Sequence, residues 1–246
     1  MSERERIEQL EREIRELKGL NEDGIPTYSF SKIKTEELES LVDIEENIHK
    51  EEIFSQWFDN KIEVSPDKVL FLEKLIERNI KLIKFYHEED LKVNFIMPLV
   101  NKIDFFLLDN NIRSFANEKL TYRTEKFIFS GEADFIFSKG IKKAEEPYFF
   151  IQEFKQGKNK RDPEPQLLAE LISAIELNND TSMRGAYIVG AIWNFVILEK
   201  LGKDKYQYFV SENFDSSKIV DLKGIYRNLV FVKKEIIEMT IKEKDG

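Results

Sequence analysis

The sequence predicts an α/β protein in which a central mixed β-sheet is flanked by helices and preceded by a helical N-terminal extension. Three observations carry that prediction. Runs rich in Phe, Ile, Val and Tyr, several of them alternating with polar residues, recur from residue 112 onward. A longer apolar helix pattern, "RDPEPQLLAELISAIEL", falls between them. The first 86 residues read mostly with a helical period, so helices and strands both contribute to one architecture.

Residues 1–18 are expected to form a short coiled-coil helix. Ile7, Leu10, Ile14 and Leu17 recur at spacings of three and four, with charge at nearly every other position. A helix of that length is marginal alone in water, so its seam is buried either by a second chain, giving a homodimer through residues 2–18, or by the protein's own body. Gly19, Asn21, Gly24 and Pro26 then mark residues 19–34 as a linker. Residues 35–86 read as a helical region, where Ser65 can cap a helix that has Pro66 in its first turn.

Residues 87–246 are expected to form the core. "HEEDLKVNFIMPLVNKIDFF" reads as a helix with Glu88 and Glu89 in its first turn, ending near Asn101. Residues 112–137 read as a β-meander in which Gly131 marks either a break between two strands or one bent strand. Tyr148 to Lys155 is a further strand, and Asp162 and Pro163 announce the helix that follows. "GAYIVGAIWNFVILEK" and "KYQYFVSENF" supply more strands, and a helix over roughly 218–240 closes the chain.

Composition narrows the chemistry. The 246 residues include no Cys and only two His, which excludes disulfides, thiolate metal sites and Cys nucleophiles and argues against a His-rich zinc site. No stretch has the roughly 20 apolar residues of a membrane helix, and no signal-length apolar run opens the chain, so a cytoplasmic protein with no membrane partner is expected. The net charge of -9 is concentrated in residues 1–60, which hold 17 acidic and 8 basic residues. The remainder is neutral and carries a basic stripe from Lys139 to Arg161, seven basic residues against three acidic. Such a stripe is most simply a solvated loop.

Within that stripe lies "FIQEFKQG". Glu153 and Lys155 are two apart in a strand and so share a face, while Phe154 takes the other. Burial of charge among apolar flanks is costly unless the charges pair or bind a metal. A structural Glu–Lys ion pair is one explanation. The other draws in Asp134 of "SGEADFIF", 19 residues earlier in another apolar strand. If the two strands are neighbours, two carboxylates and an ammonium converge at one sheet edge, a set of hard oxygen ligands that suits Mg²⁺.

Asp134, the strand with Glu153 and Lys155, and the helix opening on Gln166 in "PEPQLLAELI" together resemble the PD-(D/E)xK nuclease superfamily, in the version found in the nuclease domain of type I restriction enzyme motor subunits. "HEEDLKVNFIMPLV" is similar to that family's acidic helix, with Glu88 or Glu89 as the acid and Pro98 as its proline. The resemblance covers about residues 87–215 and implies a restriction endonuclease-like core and a Mg²⁺-dependent endonuclease, with Mn²⁺ as a possible substitute and DNA as the partner. It implies that Asp134, Glu153 and the Phe154 carbonyl hold the metal, that Lys155 orients the attacking water, that Gln166 contacts water or phosphate, and that Glu88 or Glu89 adds to the outer shell. Lys158, Lys160 and Arg161 then become contacts to the phosphate backbone. Two departures are visible: Ala133-Asp134 stands where the motif has Pro-Asp, and no tyrosine follows Gln166 near Leu171. The alternative is a non-catalytic module that uses a nuclease-like fold to bind nucleic acid or protein.

Overall fold

The structure is a computed structural model. It describes residues 6, 24–49, 51–155 and 162–245, with the backbone alone at 51, 155 and 241–245. The heptad expected over residues 2–18 therefore lies, apart from Arg6, outside the described residues. In chain order the elements are β1 (Thr27–Ser29), α1 (Thr35–Leu41), β2 (Asp43–Glu46), α2 (Glu51–Phe58), α3 (Pro66–Asn79), α4 (Glu88–Leu91), α5 (Met97–Ile103), β3 (Ile112–Arg123), β4 (Ile128–Lys139), β5 (Glu145–Lys155), α6 (Glu164–Asn178), β6 (Ser182–Val189), β7 (Ile192–Gly202), β8 (Lys205–Val210), β9 (Phe214–Asp215) and α7 (Ile219–Asp245).

All nine strands belong to one mixed, curled sheet, in the order β1-β4-β5-β6-β7-β8-β2, with β3 on β4 and β9 on β7. The run β3-β4-β5 is antiparallel, and β5 lies parallel to β6 after the crossover through α6. Gly131 lies inside the single strand β4, which resolves the alternative left open by the sequence. Two short strands that the sequence reading did not expect lie upstream of residue 87. Thr27–Ser29, in the expected linker, pairs parallel with Ile128–Ser130, and Asp43–Glu46, in the expected helical region, pairs parallel with Lys205–Tyr208. Ser65 corrects one expectation: its hydroxyl makes no capping bond to the backbone and donates to Asp67 instead.

Two apolar layers sandwich the sheet. On one face Phe54 and Trp57 of α2, Leu72 and Leu75 of α3, Leu99 of α5 and Leu229 of α7 pack against Phe137, Phe150, Phe154 and Phe195. On the other face α6 sits in the hollow of the curled sheet, covered further by Phe30, Ile33 and Leu38. Residues 165–175 of α6 are all buried, as expected of a helix with sheet on one side and the N-terminal segment on the other. Its ends are marked chemically: Asp162 accepts from the Glu164 amide, and Asn179 closes the helix in the left-handed region at φ 53°.

Gly185 lets α6 approach the sheet. A Cβ at this position would lie 3.0 Å from the Ile151 carbonyl oxygen and within 3.2 Å of Leu167 and Leu171 methyls. Gly185→Ala is expected to destabilise the fold by about 1–3 kcal/mol, because a backbone oxygen cannot yield as a side-chain tip can. A urea midpoint equal to that of the parent would refute this.

The helix that carries Lys92 is irregular. Between α4 and α5, residues Lys92–Ile96 wind as a π-helix, and the Met97 amide donates to the Lys92 carbonyl five residues back. Pro98 has no N–H for Asn94 and its ring would crowd that carbonyl in a regular helix, so a widened turn just before it relieves both problems. No helix among the described residues is long and apolar enough to cross a membrane.

Candidate active site

β4 has two partners along one edge, and a gap separates them. Residues 128–130 pair with β1 and residues 135–139 pair with β5, so among the described residues 131–134 have no strand partner on that edge. Asp134 lies in this gap. Its Oδ2 accepts a hydrogen bond from the Phe154 amide at 2.9 Å, so a side chain continues the β4–β5 contact where the ladder stops at Phe135 and Gln152. The carboxylate expected from "SGEADFIF" is thereby brought to the Glu153–Phe154 peptide.

Asp134 Oδ1 faces a cation that the sequence reading did not single out. Lys92 Nζ lies 3.3 Å from it, 3.2 Å from Asn117 Oδ1 and 3.5 Å from Glu89 Oε1. The Lys92 side chain is 8% exposed and that of Asp134 16%. Three acceptors match the three donors of an ammonium, which is the condition for burying one. The Phe154 ring lies 5.6 Å from the same nitrogen and adds a weaker electrostatic contact.

Asn117 is placed for this by backbone geometry. It sits in β3 between the pairs Ala116–Phe135 and Glu118–Ala133, level with Asp134, and holds φ at 52°. Asn tolerates the left-handed region better than most residues, and one in mid-strand marks a local requirement. Lys92 itself carried a signal: with Phe95, Ile96 and Leu99 it falls on the buried side of the helix at spacings of three, four and seven, where a lysine needs partners. Asn117 carried none.

The structure distinguishes between the two acidic candidates of that helix. Glu89 reaches Lys92 although its side chain is 74% exposed, whereas among the described residues no hydrogen bond or ion pair ties Glu88 to this cluster. Glu153 is 1% exposed and lies on the α6 face of β5, opposite Tyr187 in β6. Gln166 is also buried, but its amide donates to Glu170 Oε1 at 3.0 Å, within its own helix. The Lys155 backbone is paired with Val189, while its side chain, together with Lys158, Lys160 and Arg161, lies outside the described residues. No group of three or more His, Asp or Glu side chains among the described residues is gathered as a metal centre.

Beside Glu153, the first turn of α6 carries a second polar cluster. Tyr187 and Tyr208 donate to the two oxygens of Glu164 at 3.1 and 3.0 Å. Burial pushes the Glu164 carboxyl above its ordinary 4.5, against the two hydrogen bonds, which lower it. Both phenols are pushed far up, by burial first and by the Glu164 charge second. The native chain thus keeps a proton on Glu164 at a pH where the unfolded chain has lost it, so this contribution to stability is full below 4.5 and is lost as pH rises through the native value. In Glu164→Gln the melting temperature is expected to fall less than in the parent as pH rises from 4.5; superimposable pH profiles would contradict the assignment.

Asp134, Asn117 and Glu89 point three oxygens at one ammonium, and oxygen donors of this kind suit Mg²⁺ rather than zinc. A scan against protein-family models finds no match for this chain, and a search of curated proteins finds none.

Proposed function

We propose that this chain is a Mg²⁺-dependent nuclease that hydrolyses DNA phosphodiester bonds at the site around Asp134. The observation that carries the reading is the 2.9 Å bond between the Phe154 amide and Asp134, which joins the Asp134 carboxylate of β4 to the Glu153–Lys155 strand. The order of elements also supports it: an acidic helix, the Asp strand, the Glu–Lys strand and the glutamine helix follow one another as the family resemblance requires.

Asp134 and Glu153, with the Phe154 carbonyl, would hold the ion. Bound there, Mg²⁺ or Mn²⁺ would supply an acidified water and positive charge against the phosphate. Lys155 would orient the attacking water and stabilise charge building on the phosphate oxygens. The water oxygen bonds to phosphorus as the water gives up a proton to solvent, one P–O ester bond breaks, and the departing oxygen takes a proton in turn. Lys158, Lys160 and Arg161 would hold the strand by its phosphates, and Gln166 would contact water or phosphate once released from Glu170. A homodimer joined through residues 2–18 would present two such sites to a duplex.

The test is cleavage of plasmid and single-stranded DNA by the purified chain in Mg²⁺, Mn²⁺ or EDTA, beside Glu153→Ala and Lys155→Ala. Metal-dependent cutting that is lost in both variants is expected. Variants that cut as fast as the parent would end the assignment. One observation favours a second reading, the non-catalytic binding module: Lys92 already neutralises Asp134. That reading predicts a melting temperature indifferent to Mg²⁺ and Mn²⁺, whereas an ion held by the native state raises it.

A further inference from the structure

Lys92 is held unlike two partly exposed ion pairs of the fold. Arg184 meets Glu235 at 2.6 Å and Lys200 meets Glu176 at 2.8 Å, the short contacts of committed charge-assisted bonds. Lys92 Nζ instead sits 3.2–3.5 Å from three oxygens on three different elements: Asn117 of β3, Asp134 of β4 and Glu89 of α4. None of the three is within the distance of a tight pair. The ammonium is shared among three oxygens at similar distances rather than committed to one of them.

We propose that Lys92 is a resident cation of this site, whose ammonium takes the place at Asp134 that a divalent cation must win. The inference rests on the reading of Asp134 as a metal ligand. A Mg²⁺ ion coordinates carboxylate oxygens at about 2.0–2.1 Å, and a second positive charge on the same Oδ1 would repel it strongly at the low effective dielectric of a nearly buried site. Ion binding and departure of Lys92 from Asp134 are therefore one event. The departure has a route, because Glu89, the third partner, is the solvent-exposed member and lies in the same helix as Lys92. Lys92 can follow it outward by rotating a flexible four-carbon stem without moving the sheet.

The site then has two states with one occupant each. With Lys92 in place Asp134 is neutralised and held; with a divalent ion in place Lys92 is displaced toward Glu89. Free ion is bound more weakly than the same oxygens would bind it without the lysine, which protects the chain from engaging an ion at low concentration.

The experiment is calorimetric titration of Mn²⁺, and then Mg²⁺, into the full chain without DNA, for the parent, Lys92→Gln and Asn117→Gly. Lys92→Gln removes the competing charge. Asn117→Gly removes one of the three oxygens around that charge, keeps the left-handed backbone free of strain, and leaves Asp134 paired, so it remains informative if Lys92→Gln folds poorly. Dissociation constants about tenfold lower in Lys92→Gln and several-fold lower in Asn117→Gly are expected. Equal or weaker binding in both variants, with native circular dichroism, overturns the proposal, and so does a lack of binding in all three. DNA cleavage by the parent, measured separately, keeps the two readings apart. A parent that cuts while the variants bind Mn²⁺ no more tightly refutes only the role of Lys92. Tighter Mn²⁺ binding by both variants of a chain that cuts nothing supports that role and refutes the nuclease.

Discussion

Asp134→Asn is expected to reduce metal-dependent DNA cleavage by about three orders of magnitude or more, the loss that follows when the charge holding a transition-state stabiliser is removed. Asparagine is nearly isosteric and can still accept from the Phe154 amide, so the β4–β5 contact at 2.9 Å survives in shape. What it cannot do is hold a divalent ion with a full negative charge or compensate Lys92. Stability should fall as well. Lys92 is 8% exposed, and an ammonium left without its carboxylate in such a place costs about 2–4 kcal/mol, at or below the range for breaking a buried pair because Asp134 is 16% exposed. Adding Lys92→Gln to Asp134→Asn should recover much of that loss without restoring cleavage, since two neutral side chains leave no charge unpaired. Urea titrations and plasmid cleavage on the parent, both single variants and the double variant separate the two effects. Undiminished cleavage by Asp134→Asn would remove Asp134 from the chemistry. A double variant no more stable than Asp134→Asn would mean that the pair is not what the stability loss measures.

Trp57→Ala should be the most damaging single change to the fold, costing about 3–5 kcal/mol. Trp57 is fully buried, and its ring is 5.0 Å from Phe195 of β7 and 6.3 Å from Phe150 of β5, edge-on to both. Its Nε1 donates to the Asn228 carbonyl of α7 at 3.0 Å, and the Arg184 guanidinium lies 5.2 Å over the ring. One side chain thus ties α2 to the sheet and to the last helix. Domains are stable by only about 5–15 kcal/mol, so the loss is a large share of the total. Urea unfolding followed by far-UV circular dichroism should remain a single transition with a much lower midpoint. A variant that instead shows an early transition for residues 51–79 followed by the parent's own midpoint would mean that the helical region unfolds independently of the sheet.

That expectation depends on a point the sequence did not make. A boundary near residue 87 is a natural reading of the change from helical to alternating periodicity, yet β1 and β2 lie upstream of it and pair with β4 and β8. Asp43–Glu46 reads "DIEE", with one buried residue among four, and no local preference would make it a strand. Its structure comes from the unpaired edge of β8, which supplies the hydrogen bonds. Thr27–Ser29 is likewise a strand because residues 128–130 of β4 offer an edge that β5 does not reach. Short edge strands of this kind are created by their partners, and the partners are about 100 to 165 residues away.

The candidate site divides in the same manner. The sequence by itself determined that Asp134 and Glu153 stand in apolar strands, that a buried helix opens around Gln166, and that Glu88, Glu89 and Pro98 share a helix. Each is legible because burial imposes a period of two or of about 3.6 on the order of apolar residues, and a charge that interrupts the period stands out. Only the tertiary structure decided that Glu89 rather than Glu88 joins the cluster, that Gln166 is tied to Glu170, and that Lys92 and Asn117 meet at Asp134. These depend on side chains from α4, β3 and β4 converging on one point, and no periodicity along the chain encodes a distance between elements 25 to 42 residues apart. Such contacts are fixed by the way the sheet curls and by where the β4–β5 ladder ends, which are properties of the packed whole.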